Sequence, residues 1–129
     1  MRAIRRTRFA SLLAVALVVP AFGQDNVVRV DSSTDRVPSN TVIPEYPEIA
    51  RRDRVEGSVQ VCFNISRRGN PSRIAVRHST NRAFEKIART AVRKSTWLPL
   101  SEGEELSGIK ACRTFRFSLV PVEETPDQS

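Results

Sequence analysis

The most constraining feature of this sequence is a strand, turn, strand, helix, strand pattern between residues 57 and 119. Residues 58–66 alternate apolar and polar side chains, which is typical of a strand with one buried face. The apolar positions of that strand are Val59, Val61, Phe63 and Ile65. Residues 68–71 predict a turn, because glycine and asparagine tolerate positive φ and proline cannot continue a ladder. Residues 74–76 then resume the extended pattern.

From Asn81 the apolar period changes from that of a strand to that of a helix. Asn81 suits the N-cap, since its side-chain oxygen can accept from a free main-chain N–H. The apolar face of the predicted helix consists of Phe84, Ile87, Ala88, Ala91 and Val92. Residues 97–100 end the helix, and residues 108–119 predict a last strand. The pattern therefore predicts one small domain that combines helix and sheet.

The first 23 residues have the features of a secretory signal peptide. Four arginines precede an apolar run over residues 9–19, and small residues stand at positions 21 and 23. Residues 9–23 span roughly 22 Å as a helix, whereas the hydrocarbon core of a bilayer is about 30 Å thick. We therefore expect export and cleavage between Gly23 and Gln24. A retained inner-membrane anchor is the alternative.

Cleavage changes the charge of the mature chain. Four of the 21 basic residues belong to the predicted signal peptide, so its removal lowers the net charge from +7 to about +3. Few aromatic side chains lie among the remaining arginines, whereas nucleic-acid grooves combine basic and stacking residues. We interpret these charges as a solvated face with attraction to acidic partners or lipid headgroups, and expect no nucleic-acid partner.

The remaining chain divides into three parts. Residues 24–42 are polar without a sustained period and are predicted to be a flexible leader, residues 43–121 an ordered domain, and residues 122–129 a disordered tail. Pro47 suits the first position of a short helix. Tyr46 precedes it and has two interpretations, a packing residue or a candidate partner contact.

Enzymatic and metal-binding functions find no support in the motifs. The single histidine, His78, has no cysteine or serine constellation that the sequence can bring to it. Two cysteines and one histidine fall short of a tetrahedral zinc site. The five glycines form no phosphate-binding loop or dinucleotide fingerprint. We therefore expect no catalytic residue, no metal, no cofactor and no small-molecule substrate.

An ordered set of short motifs carries a family resemblance over residues 44–120. The motifs are Pro44-Glu45-Tyr46-Pro47, Ala50, residues 56–61, Phe63, Gly69, Phe84, residues 91–93, Trp97, Pro99 and residues 115–117. In this order and spacing they resemble the C-terminal domain of the TonB energy transducers. The resemblance implies a small two-layer α+β domain, in which a three-stranded antiparallel sheet packs on two helices. Its first strand would be central and its third strand would lie on an edge.

In that family the periplasmic domain captures a short extended segment of an outer-membrane receptor as an added strand beside the third strand. An exposed edge offers unpaired N–H and C=O groups that such a peptide satisfies. The resemblance thus implies a peptide-binding edge formed by Cys112, Arg113, Thr114, Phe115, Arg116, Phe117 and Ser118. The two arginines would either select an acidic partner or prevent self-pairing. Arg113 shares the inward parity of Phe115 and is therefore expected at a rim or beside a bulge.

The two cysteines have equal parity on the first and last strands, opposite the core face. If those strands are neighbours, Cys62 and Cys112 lie on the same outer face, and an oxidising compartment favours a disulfide between them. Two unpaired thiols in an unsuitable register are the alternative.

The chain also departs from a complete transducer. Such proteins carry a permanent membrane helix and a long proline-rich spacer, whereas here a short apolar segment and the 20 residues 24–43 precede the first matching motif. We expect a non-enzymatic periplasmic module that binds an envelope protein, such as a TonB-dependent receptor, by strand addition. The alternatives are a short membrane-anchored transducer and a self-associating structural protein, for example a homodimer.

The first alternative can be tested at the N-terminus of the exported protein. We expect Gln24 to be the first residue, because cleavage after Gly23 removes the apolar segment. N-terminal mass spectrometry of protein from the periplasmic fraction measures this. A chain that begins at Met1 and remains with the inner membrane would contradict cleavage.

Overall fold

The computed structural model describes residues 24–121, so the predicted signal peptide and the predicted tail lie outside the described residues. The described strands are β1 (Gln24–Ser33), β2 (Pro38–Asn40), β3 (Gly57–Ile65), β4 (Pro71–Ser79), β5 (Thr96–Trp97) and β6 (Ala111–Pro121). The helices are α1 (Glu48–Arg52) and α2 (Glu85–Lys94), and a 3₁₀ turn, Arg82–Phe84, leads into α2.

Four strands form an antiparallel sheet in the order β1-β6-β3-β4, and β2 pairs with β5 in a separate two-stranded ladder. Side chains from α1, α2 and β5 pack against one face of the larger sheet. The predicted two-layer α+β fold is confirmed, with β3 inside the sheet. The sheet has four strands within the described residues, whereas the resemblance implied three.

The core lies between α2 and the two middle strands. Val59, Val61 and Phe63 of β3 have no exposed surface, as their alternation predicted. The buried core residues are Tyr46, Ala50, Val59, Val61, Phe63, Phe84, Ala88, Ala91, Val92, Trp97, Ala111, Phe115 and Phe117. The apolar face predicted for the helix is the face that α2 buries. Asn81 caps the 3₁₀ turn, since its side chain accepts from the Ala83 N–H at 2.9 Å.

The expectation of a flexible leader over residues 24–42 is wrong. Residues 24–33 form β1, which pairs with β6 from Gln24 opposite Pro121 to Ser33 opposite Cys112. Arg36 then donates to the carbonyl oxygens of Ile65, Ser66 and Leu98. The ordering cost of this polar segment is therefore offset by main-chain pairing and by these long-range hydrogen bonds. The side-chain period of the segment alone contains neither contribution.

Gly69 allows the β3–β4 turn to lie against β5. Its φ is +92°, a conformation that glycine adopts without steric penalty. Its carbonyl accepts from the Trp97 N–H at 2.9 Å. A Cβ at this position would lie 1.8 Å from the Trp97 carbonyl oxygen. The close approach therefore requires glycine.

Replacing Gly69 with alanine should strongly destabilise the domain. Gly69→Ala combines the positive-φ penalty with a main-chain clash, and we expect a loss of about 3 kcal/mol in the free energy of unfolding. Gly103→Ala is the matched control, because Gly103 has φ +86° but no atom within 4 Å of the place that a Cβ would take. It should lose only about 1 kcal/mol. Urea denaturation measures both values, and equal losses would contradict the steric argument.

Candidate functional site

The predicted binding edge is an inner strand in this structure. β6 pairs with β3 on one side and with β1 on the other. The expectation that residues 112–118 form a free edge is therefore wrong for the conformation observed. The physical reason is that β1 satisfies the main-chain groups that the edge would otherwise expose to solvent.

Two contacts show which main-chain groups of β6 face β1. The Leu119 N–H donates at 2.8 Å to Oε1 of Glu56, which immediately precedes β3. Since successive amides in a strand point to opposite sides, odd-numbered residues of β6 turn theirs toward β3. The Cα atoms of Cys62 and Cys112 are 4.1 Å apart, the short spacing of a pair without mutual main-chain hydrogen bonds. Within residues 112–118, the residues whose main-chain groups face β1 are accordingly Cys112, Thr114, Arg116 and Ser118.

The side chains of β1 bury little surface. Val28 and Val30 lie opposite Phe117 and Phe115 and are partly buried against the core. The remaining side chains described in β1 are exposed, apart from the half-buried Val27 on the outer face. β1 is therefore held mainly by its main-chain ladder and by two valines.

One ion pair joins β1 to β6 on the outer face. Asp31 Oδ2 lies 3.2 Å from Arg116 Nε, and both side chains are more than half exposed. Exposed pairs of this kind contribute between nothing and about 1 kcal/mol. The pair therefore adds little to the hold on β1.

Arg113 lies in the core, and its expected position at a rim or beside a bulge is wrong. Its side chain is 1% exposed, on the inner face opposite Val61 of β3. Its guanidinium carbon stacks 4.6 Å from the centroid of the Trp97 ring. Nε donates to Ser32 Oγ and Nη2 donates to Thr41 Oγ1, each at 3.3 Å. β1 and the segment that follows it therefore cover a residue that a free edge would leave at the surface.

Burial also affects the pKa of Arg113. Desolvation lowers the pKa of the guanidinium from its ordinary value. Its Nη1 has no hydrogen-bond acceptor among residues 24–121. Arg113 is thus a buried cation whose described hydrogen-bond partners are both neutral hydroxyls.

The other predicted residues of the edge divide by face. Phe115 and Phe117 point inward as expected and are at most 1% exposed. Thr114, Arg116 and Ser118 lie on the outer face, opposite Asp31, Arg29 and Val27 of β1. The alternation inferred from the sequence was therefore correct, whereas the accessibility of the edge and the position of Arg113 were not.

Tyr46 is a packing residue, which was one of its two interpretations. Its side chain is 7% exposed, and its ring meets the edges or faces of Phe84 and Phe117 at centroid distances of 5.6 and 5.7 Å. Its hydroxyl donates to the Val55 carbonyl oxygen. Burial and the nearby charge of Glu56 raise the pKa of the hydroxyl. The partner-contact interpretation does not fit this buried position.

The predicted disulfide between Cys62 and Cys112 is present. The two residues are directly opposite each other in the β3–β6 ladder, as their parity required. The bond crosses the outer face next to the end of β1, where Ser33 lies opposite Cys112. It therefore fixes β6 to β3 and leaves β1 free of any covalent link to β6 within the described residues.

The described residues contain no cluster suited to a metal. No group of three or more histidine, cysteine, aspartate or glutamate side chains is close enough to hold an ion among residues 24–121. His78 is exposed on β4 opposite Gln60 of β3.

Comparison with known proteins identifies the domain. A family model for the C-terminal of the Gram-negative bacterial TonB protein matches residues 42–119. The chain belongs to the TonB C-terminal family. Protein tonB2 of Pseudomonas aeruginosa is 35% identical over 63 residues, which are 48% of this chain and 23% of that relative. A solution NMR structure of the Pseudomonas aeruginosa TonB CTD aligns with a TM-score of 0.50 at 26% identity, covering 71% of this chain and 91% of that one.

The matched residues make up less than a quarter of the length of Protein tonB2, so the chain spans only part of that relative. Neither helix described in this TonB C-terminal domain has the length and apolar character needed to span a bilayer. The matched segment begins at residue 42, so β1 and β2 precede it.

Two features of the site escaped sequence reasoning. β1 carries valines at three positions, but its polar neighbours conceal the alternation of Val28 and Val30. The burial of Arg113 depends on Ser32, Thr41 and Trp97, which come from three separate segments. Only the inward parity of Arg113 indicated its position.

The raised pKa of Tyr46 predicts a pH dependence. Since folding favours the neutral phenol, its contribution is complete below the ordinary pKa of 10.0 and is lost as pH rises through the higher folded value. Tyr46 is the only tyrosine, so tyrosinate absorbance reports it alone. We expect a midpoint above 10.0 in the folded protein and near 10 in denaturant. Identical midpoints would contradict the burial of the hydroxyl, and Tyr46→Phe controls for other groups that titrate in this range.

Proposed function

We propose that this domain is a non-enzymatic periplasmic module that binds an extended segment of an envelope protein beside β6, in the place of β1. The observation that carries this proposal is the β1–β6 ladder itself. β6 accepts an added antiparallel strand along ten residue pairs, from Pro121 to Cys112. A peptide from another protein can use the same main-chain donors and acceptors.

The extent of the family match supports this assignment. The matched residues, 42–119, contain β3, β4 and nearly all of β6, but not β1. Without β1 the sheet has the order β6-β3-β4, and one side of β6 is an edge. β1 therefore stands where an added strand would stand.

The uneven burial of the sheet supports exchange of β1 rather than opening of the whole domain. Removal of β1 exposes the partly buried Val28 and Val30, together with the core surface that they cover. At about 25 cal/mol per Å² of apolar surface this is a small part of the apolar burial in the domain. The β3–β6 ladder remains closed, because its apolar residues are fully buried and its outer face carries the disulfide.

The connection after β1 allows it to leave without disturbing the core. Arg36 holds the chain by three carbonyl oxygens, and β2 pairs with β5 just beyond it. Residues 34 and 35 lie between these anchors and β1. β1 can therefore detach at these two residues while the segment from Arg36 onward keeps its contacts.

The partner that best fits the family is an outer-membrane receptor of TonB-dependent transport. Such a receptor would supply an extended segment within the periplasm. Energy transfer would in addition require a link to the inner membrane, which binding itself does not need. A second copy of this chain could donate its own β1 to the same side of β6, which would give a homodimer.

Weakening β1 should strengthen the binding of a peptide at β6. The probe is a fluorescein-labelled peptide with the sequence of residues 24–33, because these residues already pair with β6 in the structure. Val30→Asn removes an inward apolar side chain from β1 and weakens its hold on β6. It should raise the affinity of the full chain for the peptide about tenfold, because the open form, in which β1 has left β6, becomes more populated. Val27→Asn is the matched control on the outer face of β1 and should change affinity little. Fluorescence anisotropy measures both.

Main-chain methylation distinguishes strand addition from other contacts. In the β1 ladder the amide of Arg29 points toward β6 and that of Val28 points away, so only the first is needed for pairing. A peptide methylated at the Arg29 nitrogen should fail to bind, whereas one methylated at the Val28 nitrogen should bind. Equal binding of the two peptides would contradict the proposal. So would weaker binding by Val30→Asn, which is expected if peptides add to the outer side of β1 instead.

A further inference from the structure

Arg113 is the one charged side chain of β6 that points inward. It is buried, and no carboxylate among residues 24–121 forms an ion pair with it. The salt bridges in this part of the chain are Arg52–Asp53 and Arg116–Asp31, and neither involves Arg113. A buried guanidinium without an acidic partner is unfavourable, because hydroxyl acceptors do not neutralise the charge that burial desolvates. A carboxylate close to Arg113 would therefore stabilise its buried charge.

The geometry around Arg113 shows where that anion can come from. Ser32 of β1 lies opposite Arg113 in the ladder and accepts from its Nε at 3.3 Å. Ser32 itself is exposed, so this position is also open to solvent. A strand that replaces β1 places its own side chain there. Arg113 thus contacts the position of Ser32 in any strand that pairs with β6 in the place of β1.

The plane and Nη2 of the guanidinium already have partners, whereas Nη1 has none among residues 24–121. Trp97 covers its plane at 4.6 Å, and Thr41 accepts from Nη2. Both residues belong to segments that stay in place when β1 leaves, since β2 and β5 remain paired beside them. The guanidinium is therefore held in one orientation, and a carboxylate at the Ser32 position can meet a fixed donor fork.

We propose that Arg113 selects peptides that carry an aspartate or glutamate at the position of Ser32. This inference rests on the proposed binding of an extended peptide at β6 and adds the chemistry of the partner. The inner-face positions two and four residues earlier are Val30 and Val28, which pack on the core. The preferred segment thus has the pattern apolar, any, apolar, any, acidic, read in the direction of β1.

The first test is made within the chain. Ser32→Asp supplies the missing carboxylate in β1 and should raise Tm by about 4 °C or more. Ser33→Asp adds the same charge at the next residue, on the outer face, and Ser32→Asn adds a neutral group of the same shape. Neither control should raise Tm. A Ser32→Asp variant no more stable than Ser33→Asp would overturn the role of Arg113.

A double-mutant cycle assigns the effect to Arg113. In an Arg113→Met chain the gain from Ser32→Asp should disappear, because methionine keeps the apolar bulk without the charge. An undiminished gain would overturn the assignment. The comparison of Ser32→Asp with Ser33→Asp decides the question independently if Arg113→Met does not fold.

The second test uses peptides and the Val30→Asn chain, in which β1 is weakened. Labelled peptides of residues 24–33 carry Asp or Asn at the position of Ser32. We expect the Asp peptide to bind about tenfold more tightly, and the Arg113→Met chain to lose the difference. Equal affinities would overturn the inference about Arg113 and leave strand exchange intact. Failure of every peptide to bind would contradict the proposed function, while the Tm comparison would still decide whether Arg113 accepts a carboxylate.

Discussion

The antiparallel pairing of β3 with β6 is the interaction on which the rest of this domain depends. On its inner face, Val59 lies opposite Phe115 in the centre of the core. On its outer face, the pair Cys62 and Cys112 forms a disulfide across 50 residues of sequence. In the chain-entropy model a loop of this length contributes about 4 kcal/mol. For a domain of this size that is a large share of a net stability of about 5–15 kcal/mol.

The two sides of β6 are held very differently. Toward β3 the strand is buried and covalently fixed, whereas toward β1 it is held by main-chain hydrogen bonds and two partly buried valines. An unpaired margin would leave polar main-chain groups without partners and would invite association with other chains. β1 satisfies those groups within the molecule. Because this contact is shallow, exchange of β1 for another strand would expose little apolar surface.

Arg113 is difficult to explain by stability alone. A buried charge with two hydroxyl partners stabilises a fold less than an apolar side chain of similar volume would. Its position makes sense if the neighbouring strand is not permanent. An exchanging strand with an acidic side chain would complete the hydrogen bonding that Ser32 leaves incomplete. With β1 in place, the uncompensated charge of Arg113 would lower the stability of the domain. With β1 exchanged, the same charge would favour a peptide with an acidic side chain.

The sequence by itself determined the elements in which apolar side chains recur with a clear period. β3, the buried face of α2 and the inward direction of Phe115 and Phe117 all follow from such periods, because burial of one face selects them locally. The parity of Cys62 and Cys112 also indicated a disulfide, on the condition that their strands are neighbours.

Only the tertiary structure decided that β6 has a strand on both sides and that Arg113 is buried. Residues 24–33 have too few apolar side chains to predict a strand, and their order comes from main-chain pairing with residues far along the chain. Main-chain hydrogen bonds carry no side-chain signature, so a pattern of side chains cannot reveal them. The burial of Arg113 likewise depends on three segments that are brought together only when the chain folds.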